Sequence, residues 1–147
     1  MAEQLKVLFL CTGNSCRSQM AEGFARHLTG DAISPYSAGT IAKGLDPYAI
    51  KVMQEAGIDI SLQHSKTVSE VTGIKFDYVI TLCSDADENC PVFPAKTKVI
   101  HHGFDDPPKL AADSKSEEEK ISHYRRIRNE IRKYIEILPL LLIKKTV

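Results

Sequence analysis

The sequence predicts a single α/β domain over residues 1–147, built on a four-stranded parallel sheet flanked by helices. Three observations predict it. Short apolar runs alternate with stretches of helical period, which is the pattern of a sheet covered on both faces. The helix-like stretches start and stop at residues that suit helix ends. Residues able to do chemistry follow directly after apolar runs, where the strands of an open α/β sheet deliver ligand-binding groups.

Residues 6–10 (KVLFL) read as a short buried strand. The next stretch, SQMAEGFARHLTG, carries Met20, Phe24, Ala25 and Leu28 at helical spacing, with Gly30 as its expected C-cap. AISPYSAGT reads as a second strand ending in Gly39. LDPYAIKVMQEAG follows as a helix with Asp46 at N-cap, Pro47 at its first position and Gly57 beyond its end. FDYVITLC is the third strand and delivers Cys83; TKVIHHGF is the fourth and delivers Asp105 and Asp106. Ser116 and Glu119 form a capping box for the last helix, whose apolar positions Ile121, Tyr124, Ile127, Ile131, Ile135 and Leu138 recur every three or four residues. The charged stretch ADSKSEEEK reads as the solvated start of that helix.

Composition narrows the function classes. The chain carries 19 Lys and Arg against 19 Asp and Glu, so no global field favours nucleic acid or an anionic membrane. The apolar run ILPLLLI, interrupted by Pro139, falls far short of the roughly 20 residues of a membrane helix. The N-terminus lacks the basic segment and the long apolar core of a signal peptide. A cytoplasmic location is expected, and there the four cysteines point to catalysis, redox work or metal rather than to a disulfide framework.

The loop after the first strand, Cys11, Thr12, Gly13, Asn14, Ser15, Cys16, Arg17, has the outline of an anion cradle. Gly13 and Asn14 tolerate positive φ, which lets successive N–H groups turn inward, and a helix N-terminus follows. Arg17 offers a planar fork to two oxygens of a tetrahedral oxyanion, which a lysine does not. The same donors, together with Ser18, are expected to lower the pKa of Cys11 so that it attacks as a thiolate. The competing readings are a cysteine buried in a turn and a nucleotide-binding glycine loop; the second lacks its Lys-Ser/Thr pair. His101 and His102 lie near Cys83 and Cys90 in sequence, but the spacing misses the short Cys-x-x-Cys knuckle of zinc sites, and no metal is expected.

VLFLCTGNSCRSQMAEG resembles the signature of low-molecular-weight protein tyrosine phosphatases and of the arsenate reductases built on the same fold. SAGT, TLCSDADENCP and GFDDPP extend the resemblance over nearly the whole chain. The reductase branch implies that Cys11 attacks arsenate, Asp106 protonates the departing oxygen, and Cys83 attacks Cys11 to release arsenite. Cys90 then draws the disulfide to Cys83–Cys90, where thioredoxin reduces it. No tightly bound cofactor is implied; thioredoxin is the electron donor, glutaredoxin being the less suited partner, and the protein is expected to act as a monomer. The phosphatase branch needs one cysteine and one acid, and has no use for Cys83 or Cys90. It generally places an aromatic pair after Asp-Pro; here Pro108 and Lys109 follow. An oxyanion or redox sensor that reports oxidation without turnover is a third reading.

Three points stay open at this level. Asp105 competes with Asp106 for the acid role. Seven helical residues would hold Cys83 and Cys90 roughly 10 Å apart, beyond disulfide reach, so the intervening segment must unwind or loop out during such a relay. Some related reductases bind potassium through positions resembling Asn14, Glu22 and Ser37, plus an aspartate where this chain has Lys66; its ammonium group is expected to pair with Glu22 instead.

Overall fold

A computed structural model describes residues 4–83 and 92–146, with side chains to residue 142. Its elements in chain order are β1 (Leu5–Cys11), α1 (Arg17–Leu28), β2 (Ile33–Gly39), α2 (Pro47–Glu55), a 3-10 turn (Val68–Val71), β3 (Tyr78–Thr81), β4 (Lys98–His101), α3 (Pro107–Ala112) and α4 (Glu117–Thr146). The four strands form one sheet in the order β2-β1-β3-β4, and each neighbouring pair is parallel. The predicted architecture is therefore the observed one. Pro35 sits in β2, an edge strand, where its missing N–H leaves no sheet partner wanting.

Alternation along β1 divides the core. Val7 and Phe9 face a cluster with Met20, Phe24, Ile127, Ile131 and Ile135, while Leu8 and Leu10 face a second with Val68, Val71, Phe76 and Val79. All four β1 side chains are fully buried. Burial of residues of this size contributes about 1.5–3 kcal/mol each, which fixes the strand end where Cys11 stands.

Helix ends mostly follow the sequence reading. Asp46 caps α2 by accepting from the Tyr48 N–H at 2.9 Å, and Gly57 adopts φ 82° beyond it. Gly30 is not the C-cap of α1: Thr29 is, its N–H and Oγ1 both donating to the Ala25 carbonyl. Ser116 Oγ accepts from the Glu119 N–H, but Glu119 reaches back to the Lys115 N–H rather than to that of Ser116. Pro139 does not end the last helix; α4 runs through it to Thr146. The short α3, absent from the sequence reading, begins at the two prolines that follow Asp106.

Candidate active site

The loop from Cys11 to Arg17 joins β1 to α1, and its carbonyls are turned away from its hollow. Cys11 O accepts from Thr40 N–H, Thr12 O from Ile41 N–H, Gly13 O from Lys43 N–H and Ser15 O from Asp46 N–H, at 2.9–3.3 Å. Gln19 Nε2 takes the Asn14 carbonyl at 3.0 Å. Trans peptide units whose oxygens point outward present their N–H groups to the concave side, which is the requirement for an anion nest. Asn14 carries the turn with φ 47° and is fully buried. Its side chain is bonded on both sides, donating to Ser18 Oγ at 2.8 Å and accepting from Lys66 N–H at 2.9 Å. Gly13 does not have positive φ. A Cβ there would lie 2.9 Å from Lys43 Cδ, whose flexible stem lies across this position.

The two cysteines that the sequence separates by 72 residues meet here: Cys11 Sγ and Cys83 Sγ are 3.6 Å apart and both are buried. Thr12, expected only as an oxyanion-binding residue, also shares a 3.2 Å hydrogen bond between its Oγ1 and Cys83 Sγ. Arg17 is buried and donates through Nη1 to the Phe104 carbonyl at 2.9 Å, with Nη2 3.6 Å from Asp106 Oδ1. Asp106 precedes α3 without spending its side chain on a capping bond, so the carboxylate faces Arg17. Asp105 instead pairs with Arg126 of α4 at 3.3 Å. A cavity of about 390 Å³ opens over the loop, and Cys11, Arg17, Lys43, Asp46 and Asp106 are among the residues lining it.

Two expectations are corrected. The Cys11 thiol is pushed up, not down: its contact with Cys83 and its burial outweigh the Arg17 charge and the Thr12 N–H, which act in the opposite direction. Ser18 makes no hydrogen bond to Cys11; its hydroxyl is held by Asn14, beneath the loop. Cys16 is a core thiol, pushed up chiefly by burial and next by Asp46. Cys90 and the proposed unwinding of its segment lie outside the described residues.

Sequence reasoning missed two supports of the loop. Asp46 is more than a cap: its second oxygen accepts from the buried Tyr124 hydroxyl at 2.6 Å, so α4 braces the segment that holds Ser15. The Phe104 carbonyl fixes Arg17, a contact that backbone groups make without leaving a sequence signal.

Beneath the loop, the buried Glu22 carboxylate meets Lys66 Nζ at 3.9 Å, Arg26 and the Ser37 hydroxyl. These residues do not fit a bound potassium ion, because the ammonium and guanidinium groups already supply the positive charge. Among the described residues no group of three or more His, Cys, Asp or Glu is placed to hold a metal ion, and no helix is long and apolar enough to cross a membrane.

A parallel α/β sheet with a cysteine and an arginine bracketing an anion nest at a strand end defines a class of thiol-dependent oxyanion proteins. Residues 6–145 match the low molecular weight phosphotyrosine protein phosphatase family, and the chain belongs to it. An arsenate reductase of Bacillus licheniformis is 52% identical over 125 residues, covering 85% of this chain and 88% of that protein. One of Bacillus subtilis is 50% identical over the same shares. An arsenate reductase solved in a phosphate-binding state superposes with TM-score 0.73 at 31% identity, covering 93% of this chain and 98% of its own. An arginine phosphatase of Geobacillus stearothermophilus, 24% identical with TM-score 0.73, shares the fold, covering 96% of this chain and 94% of its own.

Proposed function

We propose that this chain reduces arsenate to arsenite, with Cys11 as nucleophile and Cys83 as the second thiol. The observation that carries the reading is the 3.6 Å approach of Cys11 and Cys83 beside the anion loop. Two thiols in contact can supply the two electrons that arsenic(V) accepts and phosphorus(V) does not. The relatives near 50% identity, named as arsenate reductases, support the same reading.

Arsenate enters the hollow of residues 11–17, its oxygens met by the N–H groups and by Arg17. The Cys11 thiol passes its proton by way of the dianion to the Asp106 carboxylate, the thiolate displaces one hydroxyl oxygen of arsenate, and Asp106 returns that proton so that the oxygen leaves as water. Cys83, hydrogen-bonded to Thr12, then attacks Cys11 sulfur. The sulfur–arsenic bond breaks with its electron pair on arsenic and the Cys83 thiol proton passes to the departing oxyanion, giving arsenite and a Cys11–Cys83 disulfide. Cys90 attacks Cys83 and returns Cys11 to the thiolate, and the Cys83–Cys90 disulfide is reduced by thioredoxin in the cytoplasm. The protein works as a monomer of one domain, with no resident cofactor.

The test is NADPH consumption with arsenate, thioredoxin and thioredoxin reductase. Many turnovers are expected for the unmodified chain, and at most one for Cys83→Ser or Cys90→Ser. Aryl phosphate hydrolysis shared equally by all three, with no NADPH consumed, would replace this reading with the phosphatase one.

A further inference from the structure

We propose that Lys43 recruits the substrate: it is the cation that matches a dianionic tetrahedral oxyanion at the mouth of the Cys11 loop. The proposal rests on the reductase reading for its substrate, but on the charges of the cavity for its physics. Lys43 is tied to the loop by its backbone, whose N–H donates to the Gly13 carbonyl at 2.9 Å. Its stem lies across Gly13, with Cβ, Cγ and Cδ all within 3.3 Å of where a Cβ on that glycine would stand. Gly44 follows with φ 84°, turning the chain back after Lys43 has been laid over the rim.

The charges of the cavity wall are Arg17 and Lys43 against Asp46 and Asp106, two against two. Three of the four are engaged. Asp46 holds the Tyr48 N–H and the Tyr124 hydroxyl, and Asp106 and Arg17 face one another. Among the described residues Lys43 forms no ion pair and its ammonium no hydrogen bond, although it lines the same hollow. Without Lys43 the wall would be net negative, and a dianion would depend on a guanidinium already shared with Asp106 and the Phe104 carbonyl. A long, flexible stem with a compact charge is suited to meeting an anion at the rim and letting the product leave.

Lys43 therefore acts on capture rather than on bond making. In Lys43→Met, KM for arsenate is expected to rise roughly five- to tenfold with kcat within about twofold, as for loss of one unit charge near a dianion at the surface. Its kcat/KM should also lose part of its decline with ionic strength, a readout that a packing role does not move. Lys43→Arg should restore both, and unchanged melting of the two variants excludes misfolding. Inorganic phosphate supplies an arm independent of turnover: the concentration that protects Cys11 from iodoacetamide should rise by the same factor in Lys43→Met. If KM, salt dependence and phosphate protection are all unchanged while arsenate is turned over, the role of Lys43 is overturned and the reductase reading stands. If arsenate is not reduced but phosphate protection still depends on Lys43, the reductase reading fails and the anion-recruiting role survives.

Discussion

The two walls of the cavity are built differently. On the loop side, the carbonyls of residues 11–15 are all occupied, and Asn14, Ser18 and Gln19 are fully buried beneath them. On the side of β4 and α3, Asp106 is 39% exposed at its side chain and meets the loop through a 3.6 Å ion pair with Arg17. The loop wall is preorganised, whereas the Asp106 carboxylate meets it through the Arg17 guanidinium. Preorganised dipoles stabilise developing charge without rearranging during the reaction, and a proton donor tolerates a looser mount because it moves between states.

The sharpest way to break this contrast is Arg17→Lys, which keeps the charge but loses the fork that spans both walls. A fall of about 10³-fold in kcat/KM for arsenate is expected; a loss under tenfold would mean that the walls are joined by something else. Asp106→Asn should lower kcat by about 10²-fold while Asp105→Asn, whose carboxylate serves Arg126, stays within about twofold. Equal effects from the two would show that the acid's wall has no assigned donor.

Asn14→Ala tests the loop side as a folding unit. It removes a buried side chain bonded to Ser18, Gln19 and Lys66, and it puts alanine at φ 47°. A loss of about 2–3 kcal/mol in urea unfolding is expected, and under 0.5 kcal/mol would deny the loop its preorganisation. Cys83→Ala removes the leading cause of the raised Cys11 thiol. The Cys11 pKa should fall, so the midpoint for alkylation should move to lower pH and the rate at neutral pH should rise; a midpoint that stays put would place the cause in burial alone. The smallest effect is potassium. Replacing sodium by potassium at equal ionic strength should change neither melting temperature nor kcat/KM by a measurable amount, because Lys66 and Arg26 attend to Glu22.

This contrast also explains what the sequence disclosed. The fold was legible because each apolar run and cap obeys local rules, and the parallel order follows from short strands separated by helices. The loop side was legible because Gly13, Asn14, Arg17 and the following helix are contiguous. What was not legible crosses the chain. The Cys11 thiol is raised by a residue 72 positions away, and Gly13, expected to adopt positive φ, instead lies beneath the Lys43 stem. Asp106 was found through its match to the Asp-Pro pair of the resemblance, but its facing Arg17 depends on α3, which starts at the two following prolines and leaves the carboxylate without a capping bond. Pro139 stands inside α4, where a proline weakens a helix locally while packing of Leu138 and Leu142 carries it through.

The sulfur–sulfur contact has a consequence for life among competing anions. Phosphate matches arsenate in shape and charge, so a rigid cradle with outward carbonyls admits both and discriminates weakly at the door. In the proposed relay sorting happens afterwards: an arsenic adduct on Cys11 is consumed by the thiol 3.6 Å away, while a phosphorus adduct has nowhere to send its bond and can only revert or be hydrolysed. Fidelity in the proposed relay therefore lies in redox commitment rather than recognition, and phosphate acts on it by occupying the cradle.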